Sequence, residues 1–159
     1  MSRFLGLDLG TRRIGVALSD PTGTVATPLL VLAHTDRRRD LAAVARLAAA
    51  HGVARIVVGW PRNMDGTRGP AARRAEAFAD ALRRLVDVPI DLWDERLSTV
   101  AADRTLREVG VRRDRRRVVR DQIAAALILQ AYLTARAPAG ESNDPPGSPR
   151  QRAGGRAWR

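Results

Sequence analysis

Apolar residues fill Arg3 to Leu9 almost without a break, and a second such run spans Ile14 to Leu18 after the turn-prone Gly10-Thr11-Arg12. The two runs predict a hairpin. Asp20-Pro21-Thr22-Gly23 is a strong turn signal, and Thr24 to Leu32, rich in Val, Thr and Leu, predicts a third strand with an irregularity at Pro28. Helical spacing then takes over: Leu41, Val44, Ala45, Leu47 and Ala48 mark one face of a helix from Asp36 to His51, stopped at Gly52. Arg55 to Gly59 predicts a buried strand. Its end leads through the loop Trp60 to Thr67 into a second helix near Pro70, where the fixed φ of proline suits a first turn. Val88 to Asp94 predicts a fifth strand, Ser98 to Val109 a third helix closed by Gly110, and Arg115 to Ala135 a last helix ended before Pro138.

The order βββαβαβαα predicts an α/β fold. A three-stranded meander is extended by strands that arrive after crossover helices, giving a mixed five-stranded sheet of order 3-2-1-4-5 flanked by helices. In such sheets ligands gather beyond the carboxyl ends of the parallel strands, here the first, fourth and fifth. After Pro138 the chain turns to Gly, Pro, Ser and Arg with few large apolar groups. Residues 1–137 are therefore expected to form one domain, and residues 138–159 a disordered basic tail.

Composition narrows the chemistry. With 159 residues and 45% apolar content, the chain suits a single core. It has no apolar run of membrane-spanning length and no secretory leader pattern, so a cytoplasmic location without membrane contact is expected. The absence of cysteine excludes disulfides, thiolate metal sites and thiol nucleophiles, leaving oxygen or imidazole to hold any metal. Oxygen is the larger supply, because there are only two histidines; His34 and His51 flank the first helix and read as surface residues. A formal net charge of +11 favours a polyanionic partner such as nucleic acid, and every basic residue is arginine.

Acids stand at two of the strand ends singled out above. Asp8 sits between Leu7 and Leu9 in a strand expected to be central, where a carboxylate without compensation would be costly to desolvate. Asp94-Glu95 closes the fifth strand. In the last helix Val118, Asp121, Ala125 and Ile128 recur at steps of three and four, so Asp121 shares an apolar stripe. Three converging carboxylates suit hard divalent cations, Mg²⁺ or Mn²⁺, which activate a water and stabilise the leaving oxygen in phosphodiester displacement. The Gly10-Thr11 turn after Asp8 also resembles the phosphate-gripping turn of sugar kinases and actin-like ATPases. That superfamily closes two such domains around its nucleotide, and this chain is too short for two.

Four blocks in order carry a more specific resemblance: Gly6-Leu7-Asp8-Leu9-Gly10-Thr11 onward to Asp20, Gly59-Trp60-Pro61 with Asn63 to Thr67, Asp94 to Thr99, and Asp121 to Gln130. Together they resemble the bacterial YqgF family over roughly residues 3 to 135. The resemblance implies a ribonuclease H-like fold related to Holliday-junction resolvases, and a nuclease maturing the 5′ end of the small-subunit ribosomal RNA precursor. It implies Asp8, Glu95 and Asp121 as catalytic metal ligands; the choice of Glu95 over Asp94 rests on it, since strand alternation says only that the two acids face opposite ways. It further implies Thr11, Arg13, Arg96, Asn63 and Thr67 as substrate contacts, with Gly59 leaving room beside the metals. Each has a structural alternative: Arg13 and Arg96 paired with nearby acids, Asn63 setting a turn. Junction resolvases generally carry a further acid one helical turn before the last aspartate, where this chain has Val118. RNA is thus the expected partner over DNA, with pre-ribosomal particles as its setting and the choice of monomer or homodimer open. A DNA junction resolvase and a noncatalytic RNA-binding assembly factor are the competing readings.

Overall fold

Strand β1 (Arg3–Leu9) is buried along both faces, as its nearly unbroken apolar run requires. It pairs antiparallel with β2 (Arg13–Ser19), which pairs antiparallel with β3 (Ala26–Ala33). The register slips between Val16 and Ala17, opposite Leu30 and Pro28, so the irregularity expected at Pro28 is present on an edge strand, where a missing N–H costs least. Helix α1 (Arg37–Ala50) follows, with Asp36 accepting a hydrogen bond from the Arg39 N–H at 2.8 Å and Gly52 taking a left-handed φ of 58° after the His51 cap. Strand β4 (Val53–Trp60) then lies parallel to β1, α2 (Pro70–Arg83) starts on Pro70, and β5 (Ile90–Asp94) lies parallel to β4. Glu95–Leu97 forms a single 3₁₀ turn, and the last helix, α3, spans Asp114–Arg136.

The computed structural model describes residues 2–97 and 114–136, with side chains at 2–96 and 122–136. The helix expected over Ser98 to Val109 and the tail expected beyond residue 137 lie outside the described residues. The five strands form one sheet in the order β3-β2-β1-β4-β5, the arrangement the element pattern predicts.

Alternation along the strands sorts the core into two layers. Leu5, Leu7, Ile14, Val16, Ile56 and Val58 face Leu41 and Val44 of α1 and Ala75, Phe78 and Leu82 of α2. Phe4, Ala17 and Val57 face Ala125, Ile128, Leu129 and Tyr132 of α3. Glycine lets α3 settle closely on this second face: a Cβ on Gly6 would stand 2.7 Å from Leu129 Cβ and 3.3 Å from the Ala125 carbonyl. Even-numbered positions of β1, Asp8 among them, and odd-numbered positions of β4 therefore look toward α3. No described helix is long and apolar enough to cross a membrane.

Candidate active site

The β1–β4 ladder ends at Leu7↔Val58, and the next residue on each strand is Asp8 and Gly59. They stand side by side at the carboxyl ends of two parallel strands, both on the α3 face. Asp8 is only 2% exposed and Glu95 only 4% exposed, two of the few buried polar groups among the described residues. Glu95 opens the 3₁₀ turn just past β5, and its carboxylate turns inward over Gly59: a Cβ there would meet Glu95 Oε2 at 2.6 Å and Ile128 Cδ1 at 2.6 Å. The bare glycine is the space the carboxylate occupies. Asp8 and Glu95, distant in sequence, thus converge on one strand end with oxygen donors only. Both have partners in the structure, and the donor set suits a hard divalent cation.

Asp94 does the opposite. It accepts the Arg96 N–H at 2.9 Å and the Arg96 guanidinium through Nη2 at 2.7 Å, and Arg62 Nη1 donates to it at 3.3 Å. The hydrogen bonds from Arg96 outweigh desolvation and hold its carboxyl below the usual range, while the same contacts raise Arg96 further above its ordinary value. Arg62 also lies over the Trp60 ring at 4.6 Å and donates from Nε to the Gly66 carbonyl at 3.1 Å. The two neighbouring acids therefore divide their work: Asp94 braces a loop, and Glu95 enters the buried centre.

Of the expected substrate contacts, Thr11 is exposed in the turn after Asp8, and Arg13 opens β2, half-buried and on the α3 face by alternation. Arg96 takes the alternative of pairing with an acid, though its Nη1 still reaches the Met64 carbonyl at 3.4 Å. Asn63 and Thr67 close their own loop: the Asn63 N–H donates to the Thr67 carbonyl at 2.9 Å, Asn63 Nδ2 to Thr67 Oγ1 at 2.8 Å, and Thr67 Oγ1 to Asp65 at 2.7 Å. This cross-braced tip presents Met64, 79% exposed, at the edge of the site. Asp121 belongs to the opening stretch of α3, residues 114–121, whose side chains lie outside the described residues. Among those described, no group of three or more potential metal ligands is assembled.

One expectation is corrected. His34 is not a simple surface residue. Its ring is half-buried between the Gly10 carbonyl, 2.9 Å from Nε2, and Asp40, 2.8 Å from Nδ1. Periodicity carried no sign of this, because the two partners lie on opposite sides of His34 in sequence and meet only in the folded sheet.

A mixed sheet of order 3-2-1-4-5, with a long helix across one face and buried acids at the ends of its parallel strands, defines the ribonuclease H-like class. The chain belongs to the RuvX family, also called YqgF: the family model, described as "Holliday junction resolvase", matches residues 2–135. A protein of Myxococcus xanthus named "Putative pre-16S rRNA nuclease" is 52% identical over 136 residues, covering 86% of this chain and 90% of the relative. A relative of the same name from Symbiobacterium thermophilum is 51% identical over 135 residues, covering 85% and 94%. Among solved structures, Thermus thermophilus RuvC in complex with a Holliday junction substrate matches with a TM-score of 0.55 at 14% identity, covering 89% of this chain and 99% of that one. That likeness concerns the fold.

Proposed function

We propose that this chain is a metal-dependent nuclease that hydrolyses phosphodiester bonds of RNA in the cytoplasm, acting on the precursor of 16S ribosomal RNA near its 5′ end. The observation that carries the reading is the Glu95 carboxylate seated on Gly59 beside the buried Asp8. Asp8 and Glu95 would hold the cation. Asp121 is the third ligand in this reading: Phe4 meets Tyr132 and Gly6 lies under Ala125 and Leu129, so α3 runs opposite to β1. The next step along β1, at Asp8, falls toward the part of α3 that contains Asp121. Mg²⁺ or Mn²⁺ bound by these carboxylates would offset the phosphate charge and make the attacking water easier to deprotonate.

In the hydrolysis the water oxygen bonds to phosphorus, the bond to one sugar oxygen breaks, and that oxygen leaves with a proton. Gly59, by having no side chain, leaves the Glu95 carboxylate room to sit beside Asp8. Arg13, on the same sheet face, is suited to contact a substrate phosphate. Relatives bearing the rRNA name at about half identity support RNA as substrate. The description of the family model favours a four-way DNA junction as the second reading. Cleavage of a labelled 5′-extended rRNA precursor and of a four-way junction, side by side with Mg²⁺ or Mn²⁺, separates the two. Asp8→Asn is expected to abolish RNA cleavage, and Glu95→Gln or Asp121→Asn to reduce it by two or more orders of magnitude. Full activity in Asp8→Asn would end the proposal, and cleavage of the junction alone would move it to DNA.

A further inference from the structure

Asp8 stands one residue beyond the last β1–β4 pair and is paired with Gly15 of β2. The turn that follows adds to the hold on this end of β1. The Gly10 N–H donates to the Arg13 carbonyl at 2.9 Å, and a Cβ on Gly10 would lie 2.9 Å from that same oxygen, so the turn is tight. His34, just past β3, holds the turn from outside at two points. Its backbone N–H donates to the Arg12 carbonyl at 3.0 Å, and its Nε2 lies 2.9 Å from the Gly10 carbonyl.

The ring is itself aimed. Asp40, in the first turn of α1 and 7% exposed, sits 2.8 Å from Nδ1, and accepts the Thr35 N–H at 3.1 Å and the Thr35 hydroxyl at 3.2 Å. Burial works against the Asp40 carboxylate, but the hydrogen bonds from His34 and Thr35 outweigh it and keep its acidity above that of an ordinary carboxyl. Both ring nitrogens therefore face oxygen atoms, Nδ1 the Asp40 carboxylate and Nε2 the Gly10 carbonyl. An unbroken chain of contacts runs from α1 through Asp40 and His34 to the backbone two residues past Asp8.

We propose that His34 is a positioning residue of the nuclease centre: oriented by Asp40, it clamps the Gly10 turn and thereby sets the Asp8 carboxylate in place. The inference rests on the nuclease reading and adds to it a residue on the opposite side of the sheet from Glu95. It acts on the backbone of the turn and not on the carboxylate itself; residues that orient metal ligands by direct hydrogen bonds change metal affinity or activity about 10- to 100-fold, which sets the upper scale here.

The test uses the full chain with three variants, His34→Leu, His34→Gln and Asp40→Asn. Mn²⁺ binding is measured by calorimetry, and cleavage of a labelled RNA precursor is resolved into kcat and KM. His34→Leu is expected to weaken Mn²⁺ binding and lower kcat by about tenfold or more, with KM for RNA within about twofold. His34→Gln, whose amide still donates to the Gly10 carbonyl, should recover most of both. Asp40→Asn, which leaves the ring but removes the charge that aims it, should lower both by a smaller factor. Should His34→Leu not fold, the other two variants decide. Wild-type Mn²⁺ affinity in both Asp40→Asn and a folded His34→Leu overturns the proposal, as does a rise in KM at constant kcat, or a His34→Gln variant no better than His34→Leu. Absence of Mn²⁺ binding in the wild-type chain would instead bring down the nuclease reading, and this inference with it.

Discussion

Adding one methyl group at Gly59 tests the centre most directly. Gly59 is not among the described glycines with positive φ, so alanine there meets no backbone strain, and on chain entropy alone the change would stabilise by about 0.4–1 kcal/mol. The steric cost is larger. The new Cβ would lie 2.6 Å from Glu95 Oε2 and 2.6 Å from Ile128 Cδ1, short of the 3.4 Å of ordinary contact by about 0.8 Å on each side. Ile128 and Glu95 are both buried, so both must give way: Ile128 Cδ1 within the α3 layer, and the Glu95 carboxylate from its place beside Asp8. Overpacking of this kind costs about 1–3 kcal/mol of stability. A carboxylate displaced by nearly an ångström from its working place costs on the order of 100-fold in turnover. Urea unfolding and single-turnover cleavage of a labelled RNA precursor with Mn²⁺, run on Gly59→Ala and on Gly59→Ala with Ile128→Val, separate the two costs. The second substitution should return most of the stability and only part of the activity. Wild-type turnover in Gly59→Ala would refute the reasoning, since the carboxylate could not then be working where the structure holds it.

Two further expectations follow from the same packing. Gly6→Ala, which drives a Cβ to 2.7 Å from Leu129 Cβ, should lower stability by about 1–3 kcal/mol in urea titration, as overpacking does, and an unchanged midpoint would show that α3 shifts freely over β1. Asp40 and Asp94 both have carboxyls held below their ordinary value of 3.8, so each adds stability that is present above that pH and is lost as pH falls through the lower folded-state value. Unfolding midpoints should hold steady from neutrality to about pH 4 and drop below it, with a shallower drop in Asp40→Asn and Asp94→Asn; identical acid slopes in all three proteins would contradict the linkage.

Much of this architecture was legible in the chain because strand alternation and helical spacing are local signals. The end of β1 at Leu9, the start of α1 at about Asp36, the entry of α2 at Pro70 and the element order behind the sheet topology all follow from residues close in sequence. What stayed hidden depends on where strands stop and what approaches from elsewhere. Alternation places Asp94 and Glu95 on opposite faces, but only the 3₁₀ turn beginning at Glu95 shows which acid enters the centre, and only the fold brings Arg62 to Asp94. The role of Arg96 was likewise open until its guanidinium met Asp94. His34 escaped notice because its partners lie 24 residues before it and 6 after, at distances no periodic pattern records.

The parallel ladders have a consequence for how the molecule comes into being. Asp8 is made before its neighbour Gly59, which arrives only with β4, and the Glu95 carboxylate comes only after β5 has joined the sheet. Pairings between segments this far apart form late and slowly. In the nuclease reading, a growing polypeptide on the ribosome therefore has no assembled cutting centre until β5 has joined the sheet.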